Sequence, residues 1–272
     1  MLEPLVEALT HRRVLVLTGA GVSTDSGIPD YRGRTAPQRK RPPIQHQDFL
    51  RKPEVRARYW ARSTLGWPRF RDVAPNVTHR ALADWQRTGQ VAGLVTQNVD
   101  QLHQKGGSVD VLELHGALAT VRCLGCGSGE PRDRLQQRLL AANPEVERWT
   151  FPVLQDGDVE LPDELVGRFV VPACDGCGGV LKPDVVFFGD SVPAVRVEAA
   201  FARLFRAEAL LVLGTSLTVF SGYRFALKAK ERGVPVLVVN EGPTRADTFA
   251  QLKVEAGVGE VVPSLVEALT AT

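Results

Sequence analysis

An open parallel α/β sheet with a second, smaller module is the fold class this sequence predicts, on three observations. Short apolar runs recur along the chain, and each stops at small polar residues. Longer helical or mixed segments separate them. Two stretches break that rhythm with inserts of different composition. Buried strands alternating with helices build parallel sheets, and their ligands sit at the strands' carboxyl ends.

Taken in order, Leu2, Leu5, Val6 and Leu9 have helical spacing. Val14 to Leu17 is a continuous apolar run that breaks into Thr18-Gly19-Ala20-Gly21, a buried strand ending in a glycine turn. Val91 to Val95, Val109 to Leu114, Ala209 to Leu213 and Val234 to Val239 read as further strands. Asn98 to Asp100 caps a turn before a helix expected near Asp100. The first insert, Pro29 to Pro75, is rich in Arg, Pro and aromatics, with a helical stretch around Glu54 to Leu65. The second, Cys123 to Cys177, is long and irregular. The expected division gives 1–32, 76–120 and 180–272 to the sheet domain, and 33–75 with 121–179 to the small module.

Composition narrows the function classes. The 272 residues are 44% hydrophobic and 24% charged, which argues against a disordered chain. A net charge of +2 argues against a nucleic-acid partner, which calls for a strongly basic face. Of the 33 basic residues 26 are Arg, a bias that need not concern function. No run approaches the ~20 apolar residues of a membrane helix, and Glu3 and Glu7 spoil the N-terminus as a targeting peptide. A cytoplasmic, monomeric protein with no membrane partner is expected.

Three constellations carry chemistry. Glycines after the first strand let backbone approach a phosphate, although Thr24 stands where the dinucleotide fingerprint G-x-G-x-x-G has its third glycine. A plain strand-to-helix turn would look the same. Gln97, Asn98 and Asp100 end another strand, where amide and carboxylate groups suit a carboxamide and ribose hydroxyls. His115 ends the next and titrates near neutrality, as a base for a sugar hydroxyl would, although lone histidines are commonly structural. His11, His46, His79 and His103 lack that setting.

The third is Cys123-x-x-Cys126, 47 intervening residues, then Cys174-x-x-Cys177. Gly125, Gly127, Gly176 and Gly178 permit tight knuckles beside the thiols. Four thiolates close a tetrahedral zinc site with no open position, so one structural Zn²⁺ is expected. Redox thiols are the alternative. Zinc ribbons also bind nucleic acid or protein, so a binding module stays open on the cysteines alone.

Together these residues resemble the sirtuin family of NAD-dependent protein lysine deacylases. The carriers are Gly19-Ala-Gly-Val-Ser, Ser26-Gly-Ile-Pro-Asp-Tyr-Arg, Thr96-Gln-Asn-Val-Asp, His115-Gly, both cysteine pairs, Lys182-Pro-Asp-Val-Val-Phe-Phe-Gly-Asp, Gly214-Thr-Ser and Asn240-Glu-Gly. Tyr31, Arg41-Pro-Pro-Ile-Gln-His, Tyr59-Trp-Ala-Arg, Gly66-Trp-Pro and Ser221-Gly-Tyr-Arg-Phe resemble its class II branch, as does the long span between the cysteine pairs.

The resemblance implies a Rossmann-like domain with a zinc module, NAD as consumed co-substrate, and acylated lysine segments of proteins as partners. Gly19, Ala20, Gly21 and Ser23 would meet the NAD phosphates, with Thr24 beside them, and Asp30, Tyr31 and Arg32 would lie on a cofactor loop. Gln97, Asn98 and Asp100 would hold nicotinamide and its ribose; Gly214, Thr215 and Ser216 would meet phosphate and ribose; Asn240, Glu241 and Gly242 would meet adenosine. Val258 stands where the family often has a cysteine whose backbone meets adenine, and Ser221 replaces a commoner proline. Val186, Phe187, Phe188 and Gly189 would pair with the substrate backbone as an added strand. His115 would deprotonate a ribose hydroxyl after nicotinamide leaves, giving lysine and O-acyl-ADP-ribose. Tyr59 and Arg62, one turn apart, resemble the pair that class III sirtuins use for acidic acyl groups, so a carboxylate-bearing or bulky acyl group is expected. Protein mono-ADP-ribosylation is the alternative within the family, and an NAD sensor or zinc interaction module is the alternative outside enzymes.

Overall fold

The computed structural model describes residues 2–30, 33, 35, 43–154 and 159–271. In chain order the elements are α1 (Glu3–Leu9), β1 (Val14–Thr18), α2 (His46–Arg51), α3 (Pro53–Arg71), α4 (Val77–Arg87), β2 (Val91–Thr96), α5 (Leu102–Lys105), β3 (Val111–Glu113), β4 (Gly116–Cys123) and β5 (Gly129–Pro131). They continue as α6 (Arg132–Ala142), α7 (Asp163–Arg168), β6 (Leu181–Val185), α8 (Ala194–Phe205), β7 (Ala209–Leu213), α9 (Phe220–Glu231), β8 (Val236–Val239), β9 (Leu252–Val254) and α10 (Val258–Thr270). Among the described residues no helix is long and apolar enough to cross a membrane.

The chain divides into two units, 1–37 with 74–115 and 192–272, and 38–73 with 116–191. The first contains a six-stranded sheet in the order β3-β2-β1-β7-β8-β9, with every pair parallel. This is the expected open sheet. From β1 the chain builds outward to β2 and β3, then returns to the other side of β1 for β7, β8 and β9. The strand order therefore reverses between β1 and β7, the place where such sheets bind ligands.

Strand alternation explains why these runs are apolar throughout. Val14 and Val16 of β1, Leu211 and Leu213 of β7, and Leu237 and Val239 of β8 enter one core with Leu82 and Trp85 of α4 and Val262 and Leu265 of α10. Leu15, Leu17, Leu210, Val212, Val236 and Val238 enter a second core with Ala200 and Leu204 of α8 and Phe225 and Ala226 of α9. With both faces covered, each position of β1, β7 and β8 is buried and the period-2 signal disappears.

The second unit has its own sheet, β5-β4-β6, antiparallel throughout. Its core joins Phe49, Trp60, Leu135, Leu139, Val166, Phe169 and Leu181. The expected boundaries at 120 and 180 differ from the structural division because β4 begins at Gly116 and pairs with β6, which draws 116–120 and 180–191 into this unit. The helix expected around Glu54 to Leu65 runs over Pro53–Arg71, and Pro68 falls within it. Arg132 is buried between Trp60 and Trp67, its guanidinium 5.3 Å from each ring centroid, and donates to Ser63 O.

Two of the histidines in the first unit are buried. His79 of α4 and His103 of α5 are buried, their ring centroids 4.8 Å apart, and His103 Nε2 is 2.9 Å from Thr18 Oγ1 at the end of β1. Burial pushes His79 down to about 4, with Arg80 adding repulsion. It pushes His103 down to about 3, with His79 adding to the effect. Both stay neutral in the fold while unfolded chains take up protons near the ordinary histidine value of 6.5. The unfolded state then binds more protons, so stability falls as pH drops from about 6.5 towards 4 and is regained as it rises. Urea midpoints measured across that window should decline with acid, with a shallower slope in a His79→Asn/His103→Gln double variant.

Candidate active site and metal centre

Within the first unit the loops after β1 and β7 touch backbone to backbone. Gly19 N donates to Leu213 O at 3.0 Å and Gly21 N to Gly214 O at 2.9 Å. A Cβ on Gly19 would lie 2.5 Å from Thr215 Cβ, and one on Gly21 would lie 2.8 Å from Gly214 Cα. Gly214 itself has φ +58°, and a Cβ there would lie 2.7 Å from Val22 N. The glycines are thus required first by loop against loop. That contact leaves the N–H groups of Ala20, Thr215 and Ser216 without a hydrogen-bond partner among the described residues. Free amides at the carboxyl ends of two adjacent strands suit phosphate oxygens. Thr24, whose Oγ1 donates to Gly21 O at 2.9 Å, serves the loop from within.

A polar network fastens this loop to the end of β2. Ser23 Oγ donates to Asp100 Oδ2 at 2.7 Å, and Asn98 Nδ2 donates to Ser23 Oγ at 3.0 Å and to Gly19 O at 3.1 Å. Gln97 Nε2 reaches Thr215 Oγ1 at 3.1 Å. Asp100 is buried, and that burial raises its carboxyl above the usual range, while Leu102 N and Ser23 Oγ oppose the shift. Asp100 Oδ1 accepts from Leu102 N at 2.9 Å as α5 begins, two residues later than the sequence suggested.

His115 follows β3. Its Nδ1 is 2.8 Å from Gln97 O and its Nε2 is 2.8 Å from Ser221 Oγ in the first turn of α9. A carbonyl only accepts, so Nδ1 carries the proton and the Nε2 lone pair faces Ser221. Burial holds this histidine below its usual range, the Gln97 carbonyl opposes that, and Arg196 adds repulsion. A half-buried imidazole with a defined tautomer, held below its usual range, is equipped to act as a base.

The remaining expected contacts lie in the same unit. Gly214, Thr215 and Ser216 end β7, and Ser216 Oγ pairs with Thr218 Oγ1 at 2.8 Å. Asn240 uses its amide to close its own turn, donating to Glu241 O at 2.7 Å and Gly242 O at 3.0 Å. Glu241 is exposed, and Val258 opens α10 with its side chain in the core, leaving only backbone for a ligand. Asp30 Oδ1 accepts from Gly33 N at 2.6 Å. Tyr31 and Arg32 lie outside the described residues.

The second unit gathers the cysteines. The Sγ atoms of Cys123, Cys126, Cys174 and Cys177 all lie within 4.8 Å of one another, with Cys123 to Cys177 at 3.5 Å and Cys126 to Cys174 at 3.8 Å. A zinc tetrahedron with ~2.3 Å arms has edges of about 3.8 Å, so the set fits zinc. Each pair sits in a knuckle: Gly127 N donates to Cys123 O at 3.0 Å and Gly178 N to Cys174 O at 2.8 Å. Leu124 N to Val180 O at 2.8 Å ties one knuckle to the other.

Tyr59, Arg62 and residues 186–189 also lie in this unit. The Tyr59 ring is 5.4 Å from Phe187 and 5.7 Å from Phe49, so α3 and the 186–189 segment share one aromatic cluster. Arg62 is half-buried one turn further along α3. Phe188 is exposed, and its carbonyl accepts from His46 N at 2.9 Å. Lys182 is buried under this segment, its Nζ 4.6 Å from the Phe187 ring and 3.7 Å from Asp190 Oδ2.

Sequence reasoning missed two supporting groups. Asn76, the cap of α4, donates from Nδ2 to Val22 O at 2.8 Å and so braces the glycine loop. Ser221 was visible as a replaced proline and as the first residue of a class II motif, with no signal that its hydroxyl reaches His115.

Comparisons with known proteins agree with this fold. A family model described as the Sir2 family matches residues 19–221. The chain is 50% identical over 255 residues to the NAD-dependent protein lipoamidase sirtuin-4, mitochondrial, of Bos taurus, covering 93% of this chain and 81% of that protein. It is 50% identical over 255 residues to an NAD-dependent protein deacetylase of Xanthomonas axonopodis pv. citri, covering 94% and 87%. A mutant Sir2 homologue in complex with ADP-ribose superposes with TM-score 0.78 at 29% identity, covering 99% of this chain and 96% of that one.

Metal binding by four thiolates contributes directly to folding. Metal analysis should find one zinc per chain, absent from Cys174→Ser, and a strong chelator should lower the thermal midpoint of the wild type while leaving that variant unmoved.

Proposed function

The chain belongs to the Sir2 family, and from that premise we infer that it is an NAD-dependent protein lysine deacylase, converting acyl-lysine, NAD and water to lysine, nicotinamide and O-acyl-ADP-ribose. The observation that carries the reading is His115: a half-buried imidazole whose protonated Nδ1 is held by Gln97 O, in the unit that presents free amides at the β1 and β7 ends. When bound, NAD supplies a sugar carbon with nicotinamide as its leaving group.

The residues divide the remaining tasks. Ala20, Thr215 and Ser216 amides receive phosphate oxygens, with Gly19, Gly21, Ser23 and Thr24 shaping their loop. Asp30, Tyr31 and Arg32 belong to the cofactor loop. Gln97, Asn98 and Asp100 orient the carboxamide and the ribose, and Asn240, Glu241, Gly242 and the backbone of Val258 meet the adenosine. His115 removes the proton of a ribose hydroxyl. The Val186 to Gly189 segment pairs with the substrate backbone, a mode that reads few side chains. The four cysteines hold zinc in a closed set with no open position, so the metal is structural.

A class II sirtuin, monomeric, cytoplasmic and without nucleic-acid partners, completes the reading. The near-neutral charge supports the absence of a nucleic-acid partner. Mono-ADP-ribosylation is not favoured, because nothing in the site distinguishes it from the deacylases the chain resembles. The aromatic cluster of Tyr59, Phe49 and Phe187 with Arg62 one turn away supports acyl groups that are bulky or end in a carboxylate.

Mass spectrometry of acyl-peptides incubated with NAD tests the assignment. His115→Ala should slow acyl removal by about 10²-fold or more. An arginine–carboxylate hydrogen bond is worth ~1.5–3 kcal/mol, so Arg62→Ala should slow removal of succinyl- or glutaryl-type groups by roughly 10- to 100-fold relative to acetyl. Faster acetyl turnover by wild type, with no selective loss in Arg62→Ala, would defeat the acyl preference while leaving the deacylase assignment standing.

A further inference from the structure

Neutral imidazole has one acceptor site, and in His115 the protein already occupies it. Nδ1–H is committed to Gln97 O, and the Nε2 lone pair receives the Ser221 hydroxyl at 2.8 Å. The base assigned above therefore has no vacant lone pair for a sugar hydroxyl.

The position of Ser221 is held from several sides. A serine in the first turn of a helix ordinarily bonds the helix's own free N–H groups. Yet α9 has no side-chain cap, and its N-cap position is Val219. The hydroxyl is turned to His115 instead. The next residue fixes the approach: a Cβ at Gly222 would lie 2.5 Å from Gln97 Oε1, so the first turn of α9 sits directly on the residue whose carbonyl holds His115 Nδ1. Gln97 and Ser221 thus clamp the ring at both nitrogens.

We propose that Ser221 relays the proton between the sugar hydroxyl and His115. Ser221 passes its hydroxyl proton to Nε2 and takes the sugar hydroxyl's proton in exchange. The sugar oxygen is left as the nucleophile, and His115 becomes an imidazolium with Nδ1–H still on Gln97 O. Ser221 ends unchanged, and the imidazolium discharges to solvent by the same path. This rests on the deacylase reading of His115. The contrary arrangement is a cap, in which the hydroxyl must swing aside before His115 can act; the two differ in sign when the hydroxyl is removed.

The test uses the 272-residue wild-type chain, Ser221→Ala and Ser221→Thr, each confirmed folded by circular dichroism. In histidine-¹⁵N-labelled protein without substrates, the Nε2 resonance of His115 should move in Ser221→Ala and return in Ser221→Thr. In the deacylation assay Ser221→Ala should lower kcat roughly tenfold or more with KM for NAD nearly unchanged, and Ser221→Thr should recover most of it. Exchange of labelled nicotinamide into NAD precedes the proton transfer and should survive in Ser221→Ala. Rates in mixed H₂O and D₂O should curve for the wild type, with two protons in flight, and run straight for Ser221→Ala. An unmoved Nε2 resonance, a straight wild-type plot, or an unchanged or raised kcat in Ser221→Ala overturns the relay alone. Absence of NAD-dependent acyl removal by the wild type overturns the deacylase reading and the relay with it.

Discussion

The contact between the loops after β1 and β7 is the constraint on which the cofactor-facing part of the structure depends. Three glycines meet there at distances that admit no Cβ. Their hydrogen bonds, Gly19 to Leu213 and Gly21 to Gly214, splice the two loops into one surface at the reversal of strand order. Because the loops satisfy one another through those donors, the amides of Ala20, Thr215 and Ser216 remain free. A side chain at any of the three glycines would push the loops apart and scatter those amides. The phosphate reading of the glycine turn is therefore indirect: the glycines make the close approach between loops, and the approach leaves the donors.

The same economy governs the side chains. Asp100 is buried, and removing a carboxylate from water is costly unless donors meet it. Ser23 and the Leu102 amide supply them, and both also fix backbone: Ser23 at the end of the glycine turn, Leu102 at the start of α5. Asn98 spans the same turn from the other side. Behind it, Asn76 holds Val22, and the neutral His79–His103 pair fills the space under Thr18. Polar groups in this region are spent on rigidity, which a site aimed at a developing charge requires.

Much of this was legible in the sequence. The five expected strands of the open sheet were visible because a sheet covered on both faces makes each strand a continuous apolar run. β9 was not, because Leu252-Lys253-Val254 at the sheet edge is short and holds an ion-pairing lysine. The second unit was read as two excursions with cysteines, and its sheet was missed. β5 is Gly129–Pro131 and β6 contains Pro183, neither of which has strand character on its own. Those strands exist because β4 lies between them, and the β4–β6 pairing, from Cys123 with Leu181 to Gly116 with Val185, is too distant in sequence to leave a local trace. The cysteine set was legible because ligand spacing is a local property. The partnership of Ser221 with His115 was not, since it joins positions separated by 106 residues through a hydroxyl with no distinguishing neighbours.

A closed set of four thiolates and a histidine proposed as the base also imply a division of labour. Four thiolates on one metal tie the two ends of the second insert together, and such binding contributes directly to folding. Four thiolates leave the metal no coordination position for substrate, so all reactive chemistry must come from the cofactor and the residues that touch it. A reaction that consumes NAD by breaking its bond to nicotinamide moves no hydride and needs no paired acid and base around one carbon. It needs one base, neutral at working pH, aimed by groups that cannot be confused about which nitrogen is protonated. Gln97 O meets that requirement at Nδ1, and burial keeps the ring uncharged. What this chain adds is a hydroxyl already seated on the other nitrogen, so the basic lone pair is directed before any substrate arrives.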